Sequence, residues 1–173
     1  MAILEIKRFP DTILKETAKK IATVTDEDRL LVRDMLETMY FANGVGLAAP
    51  QVGVSRRIIV CNPTGQKDDE LPIINPEIIY KKGKRVKDCE GCLSVPTITA
   101  EVSRFSRIGV IGRDLDGKEI SFEAEDLLAR IILHETDHLN GLLFIDRVGF
   151  FKRKALIRQY GKKMGISCVG KWY

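Results

Sequence analysis

The sequence predicts an α+β fold in which antiparallel β-sheets pack around a central helix, with a further helix at the C-terminus. Short β-branched runs bounded by turn residues fill much of the first two-thirds of the chain, and Asp116-Gly117, the strongest hairpin signal, lies between two of them. A strongly helical stretch follows from about Ala124, and another follows Gly149. No repeat, linker or low-complexity tract interrupts the chain, so residues 1–173 are expected to form one domain.

Taken in order, Pro10-Asp11 opens a short polar helical stretch to about Lys20. Thr25 precedes Asp26, Glu27 and Asp28 as a capping residue precedes an acidic first turn, and Leu30, Leu31, Met35 and Met39 carry a helical period through Tyr40. Next comes Gly44-Val45-Gly46-Leu47-Ala48-Ala49-Pro50-Gln51-Val52-Gly53. Its alternating glycines cannot build a core and instead let the backbone pass close to a strand or a ligand; Gln51 is the only polar side chain in the run. A phosphate loop would need a Gly-Lys-Ser/Thr ending, which is missing. Residues 57–61, 72–74, 77–80 and 83–86 have extended character, and residues 107–113 and 119–122 flank the hairpin.

Residues 124–133 are strong helix formers with acids in the first turn, and Gly141 is placed to end the helix. Leu127, Ile131, His134 and His138 follow an i, i+4, i+7, i+11 spacing, which gathers them into one stripe. The chain has 2 histidines, and both are in this stripe. Four residues apart on a helix, both imidazoles can reach one metal ion, with Glu135 beside them to handle a water proton. A chance His-Glu-x-x-His match, with the histidines satisfied in a core, is the plain alternative.

A hydrolytic metal site usually has three protein ligands and an open position. Cys92, in the tight segment Glu90-Gly91-Cys92-Leu93-Ser94, is the candidate third ligand. Cys89 leaves a second possibility open, a closed Cys2His2 site, although the spacing to His134 far exceeds the ~12–15 residues of a zinc finger. A thermolysin-like protease needs a downstream glutamate, and no glutamate follows His138. Val45, Leu127 and Ile131 are candidates to wall an apolar pocket, with simple core positions as the alternative. Gly44, Gly46 and Gly91 would let an extended peptide lie alongside as an added strand. Arg104 is a candidate partner for Glu90 or Asp137.

Composition bounds the rest. At 30% charged and 45% hydrophobic, the chain has ordinary globular proportions. It has no bilayer-length apolar run and no secretory leader pattern, so a cytoplasmic location is expected. The 4 cysteines, Cys61, Cys89, Cys92 and Cys168, then point to metal binding before a disulfide framework. The net charge of +4 comes partly from a basic cluster in residues 150–163, which reads as a solvated helix face or as a nucleic-acid or ribosome contact.

Three segments, Gly44-Val45-Gly46-Leu47-Ala48-Ala49-Pro50-Gln51, Glu90-Gly91-Cys92-Leu93-Ser94 and His134-Glu135-Thr136-Asp137-His138, resemble in order the three motifs of the peptide deformylase family. The flanks also resemble the bacterial enzymes. The resemblance implies removal of the formyl group from nascent formyl-methionyl peptides. It implies Cys92, His134 and His138 as metal ligands, Glu135 as general acid/base, and Gln51 with the Leu93 backbone N–H as oxyanion donors. It implies Fe2+ in the cell, while the donor set leaves Zn2+, Ni2+ or Co2+ open for purified protein. A monomer without membrane attachment is expected, with a ribosome contact through the basic C-terminal helix. Leu133, Arg130 and Thr99 depart from common family residues, which bears on peptide preference.

Overall fold

The computed structural model describes residues 2–166; Cys168 lies outside the described residues. One five-stranded antiparallel sheet runs in chain order: β1 (Gly46–Ala48), β2 (Ile58–Cys61), β3 (Leu71–Cys92), β4 (Val95–Arg113) and β5 (Glu119–Glu125). Three α-helices accompany it: α1 (Asp26–Phe41), α2 (Asp126–Leu139) and α3 (Phe150–Met164).

The α1 start carries the Thr25 cap read from the sequence, completed as a capping box: the Thr25 side chain accepts from the Asp28 N–H, and the Asp28 carboxylate accepts from the Thr25 N–H. Strand β2 is buried at all four positions because it lies between two cores. Ile58 and Val60 pack with Met35, Met39 and Leu47, whereas Ile59 and Cys61 pack with Ile108, Ala129 and Ile132. Side chains alternate across a strand, so a strand covered on both faces must be apolar throughout. Each such isoleucine contributes about 1.5–3 kcal/mol relative to exposure. A third core joins α3 to β4 through Leu156, Ile157 and Tyr160 against Val95, Ile98 and Val102.

Three expectations need correction. The helix foreseen from Pro10 to Lys20 is a single 3-10 turn, Thr12–Lys15; Glu16 then turns extended, and Ala18 N–H donates to Leu139 O at 2.9 Å. Tertiary pairing outweighs local propensity there. The separate extended stretches of residues 72–86 are one strand, β3, whose register against β4 shifts at four places, by bulges or other irregularities. Bulges bend and twist a strand, so one long ribbon takes the place of several short strands and brings its Cys92 end beneath α2. Likewise Ala124 belongs to β5, and α2 starts only at Asp126.

Candidate metal centre and active site

Helix α2 buries every residue from Ile131 to Leu139. It ends at Leu139 with Asn140 as C-cap, and Gly141 follows, whose φ of +70° and close packing on the Lys15 carbonyl leave no place for a side chain. Cys92 is the last residue of β3; the two-residue turn Leu93-Ser94 returns the chain to Val95, paired with Cys92 across the hairpin. These two elements bring one donor atom each of Cys92, His134 and His138 within 4.8 Å of one another, with Cys92 Sγ 3.2 Å from His138 Nε2.

The set fits a single borderline cation. With metal–sulfur near 2.3 Å and metal–nitrogen near 2.1 Å, tetrahedral donors stand roughly 3.5 Å apart. His134 is already oriented for that role, because its Nδ1 lies 2.9 Å from Glu90 Oε2 and its Nε2 is left for the metal. Cys89 is exposed and is not in the donor group, so the closed Cys2His2 arrangement lacks its fourth ligand.

Glu135 projects beside this cluster, and only 4% of it is exposed. Its Oε2 is buried without a partner. Burial, opposed by His134 and Arg104, pushes its carboxyl up to about 7. A cation on the neighbouring donors would draw that value back down. Gly46 makes room for this carboxylate: a Cβ there would sit 2.5 Å from Glu135 Oε1 and 2.7 Å from Ile131. The glycine run thus approaches the α2 acid, not only a ligand. Gln51 is fixed at both ends, its Oε1 accepting from the Ala48 N–H at 2.8 Å and its Nε2 donating to Ser94 Oγ at 3.3 Å and Cys92 Sγ at 3.5 Å. Its amide nitrogen therefore lies beside the metal donor Cys92.

Behind the donors runs a chain of alternating charges. Arg104 holds Glu90 through two bonds of 2.9 Å and Asp137 at 2.6 Å, while Arg147 holds Asp137 and Arg130 holds Glu90 at 2.6 Å. Although burial opposes it, hydrogen bonds and charge from Arg104 and His134 keep Glu90 well below the usual carboxylate range. A cavity of about 800 Å³ opens over the cluster. Gly44, Val45, Gly46, Gln51, Gly91, Cys92, Leu93, Leu127, Ile131, His134 and Glu135 all line it; His138 lies deeper, 1% exposed. Val45 and Leu127 are 46% and 49% exposed, so they form its rim and not core, whereas Ile131 is buried in its wall.

A sequence model described as polypeptide deformylase matches residues 3–154. The chain belongs to this family. The peptide deformylase of Thermodesulfovibrio yellowstonii is 46% identical over 165 residues, covering 94% of this chain and 99% of the relative. That of Hydrogenovibrio crunogenus is 49% identical over 161 residues, covering 93% and 95%. Among solved structures, the Legionella pneumophila peptide deformylase superposes with a TM-score of 0.90 at 39% identity, covering 98% of this chain and 100% of that one. The Ehrlichia chaffeensis enzyme in complex with actinonin gives 0.86 at 41% identity, covering 94% and 98%.

For a deformylase, this chain has features its motifs alone did not announce. Arg104 engages Glu90 and Asp137 together, where the sequence offered it as partner to one of them. The partners of Arg130, Arg147 and Ser94 carried no local signal, because they are distant in sequence. Gly91 tolerates more than expected: an added Cβ would meet Thr99 at an ordinary 3.5 Å.

Proposed function

We propose that Cys92, His134 and His138 hold one divalent metal ion, that Glu135 moves the proton, and that Gln51 and the Leu93 N–H stabilise charge on the formyl oxygen during deformylation of nascent formyl-methionyl peptides. The observation that carries this reading is the unpartnered, buried Glu135 carboxylate beside a three-donor cluster that Gln51 also faces.

When bound, the ion supplies Lewis-acid chemistry, polarising an amide carbonyl and making water more acidic. Glu135 accepts the proton of the attacking water and then delivers it to the leaving amine, so one carboxylate acts first as base and then as acid. Burial suits both halves, because a neutral Glu135 is no strain on its surroundings. Gln51 Nε2 and the Leu93 N–H donate to the oxygen as it gains charge; losing one such donor costs about 100-fold or more. The cavity over the cluster receives the methionine side chain between Val45, Leu127 and Ile131, and the peptide runs past Gly44, Gly46 and Gly91 through main-chain bonds that ignore sequence.

The ion is Fe2+ in the cell, with Zn2+, Ni2+ or Co2+ taking its place in purified protein. Residues 1–173 act as one catalytic domain, a cytoplasmic monomer whose basic α3 meets the ribosome. Among the described residues no helix is long and apolar enough to cross a membrane. The test is formate release from formyl-Met-Ala-Ser by anaerobically purified protein. About one metal per chain with turnover, and loss of both in His138→Ala, is expected; metal without formate from the wild type would contradict it.

A further inference from the structure

The cavity over the metal donors is lined by few charged side chains, and all but one are already engaged or buried. Glu90, Arg130 and His134 are bonded to one another at 2.6–2.9 Å, and Glu135 is buried. The remaining one, Arg8, is exposed, and its guanidinium has no hydrogen bond or ion pair among the described residues.

Arg8 is also held in place. The Lys7 N–H donates to Gln51 O at 2.7 Å and the Phe9 N–H to Ser94 O at 2.8 Å. The flanking backbone is thus tied to the two residues whose side chains meet beside Cys92. Phe9 is 2% exposed and packs edge-on against Tyr160. Phe9 lies in the core, whereas Ile6 and Arg8 both line the cavity. A cation fixed at the backbone, with its charge free, is positioned to select a charge on whatever lies in the cavity.

Resting on the reading of that cavity as the peptide site, we propose that Arg8 is a specificity residue that favours formyl-methionyl peptides with an acidic side chain within the three residues after methionine. The pairing is solvent-exposed, so its size is that of a surface ion pair, about three-fold in kcat/KM, and it weakens as salt screens it.

The experiment compares C-terminally amidated formyl-Met peptides carrying Asp, its uncharged isostere Asn, or Lys at the second, third or fourth residue, at low ionic strength and in 0.5 M salt. The wild type should prefer Asp over Asn by about three-fold at one position, with the preference fading in high salt. Arg8→Gln should lose the preference, and Arg8→Glu should favour Lys instead. An Asp/Asn ratio near one at every position, or an Asp preference that survives in Arg8→Glu, would overturn the proposal. Formate from the Asn peptides alongside such a result would leave deformylation standing, whereas no formate from any peptide would bring down both.

Discussion

On the cavity side of α2, Glu135 is buried with one oxygen lacking any partner; behind the same helix turn, Glu90 and Asp137 are as deeply buried but share Arg104, Arg130, Arg147 and His134. All three are carboxylates of similar exposure. What differs is the supply of fixed donors: hydrogen bonds and charge hold Glu90 well below the usual carboxylate range, whereas Glu135, without them, is raised. The bare acid is suited to carrying a proton, and the saturated pair to holding His134 and α2 in place.

The comparison breaks most visibly if the saturated side is stripped. Arg104→Met removes the guanidinium shared by Glu90 and Asp137, and breaking such a buried pair costs about 3–5 kcal/mol. Arg130 and Arg147 remain to temper the loss, so a value near the low end is expected in urea unfolding of the metal-loaded protein; a change within experimental error would mean that the network contributes nothing.

The bare side can be read through pH in metal-free protein. The Glu135 carboxyl is raised to about 7 in the fold, against an ordinary 4.5 when unfolded. Between those values the unfolded chain has released the proton that the folded chain keeps, so stability falls as pH rises through this window and levels off above it. The total is at most about 3 kcal/mol. Glu135→Gln should abolish this slope, and thermal unfolding of both proteins from pH 4 to 8 would reveal a parallel trend if the idea is wrong.

A smaller effect sharpens the contrast. Arg130→Met keeps an apolar stem in the cavity wall but leaves Glu90 held by Arg104 as its one arginine, beside its bond to His134. Loosening the carboxylate that orients a metal-bound histidine typically weakens metal binding 10- to 100-fold; because Arg104 persists, about 10-fold is expected from chelator competition, with a shifted visible spectrum in the Co2+-substituted protein. Unaltered affinity and spectrum would assign Arg130 to the wall only.

Much of this was legible in the residues. Thr25 and Asp28 announce the start of α1, Asp116-Gly117 the β4–β5 turn, and His134-Glu135 with His138 a shared helix face. These signals are local, written within one turn of helix or one hairpin. The 22-residue β3 was not legible as one strand, because Asn75, at positive φ and followed by Pro76, reads as a break when the ladder absorbs it as an irregularity. Of the charge chain only the partnership of Arg104 with Glu90 or Asp137 was legible; Arg130 and Arg147 join it through the fold, and isolated charges look like solvated surface until then. The rim placement of Leu127 was hidden for a related reason: helical spacing gives its stripe, but how far the cavity opens along that stripe depends on β3 and β4.

The most direct measurement is metal content and formate release for the wild type and Glu135→Gln, purified and loaded in parallel. Positioned acid–base groups contribute about 100- to 10,000-fold. The variant is therefore expected to hold one metal per chain, like the wild type, while kcat falls by about 1,000-fold. Full metal with turnover close to that of the wild type would show that Glu135 does not carry the proton.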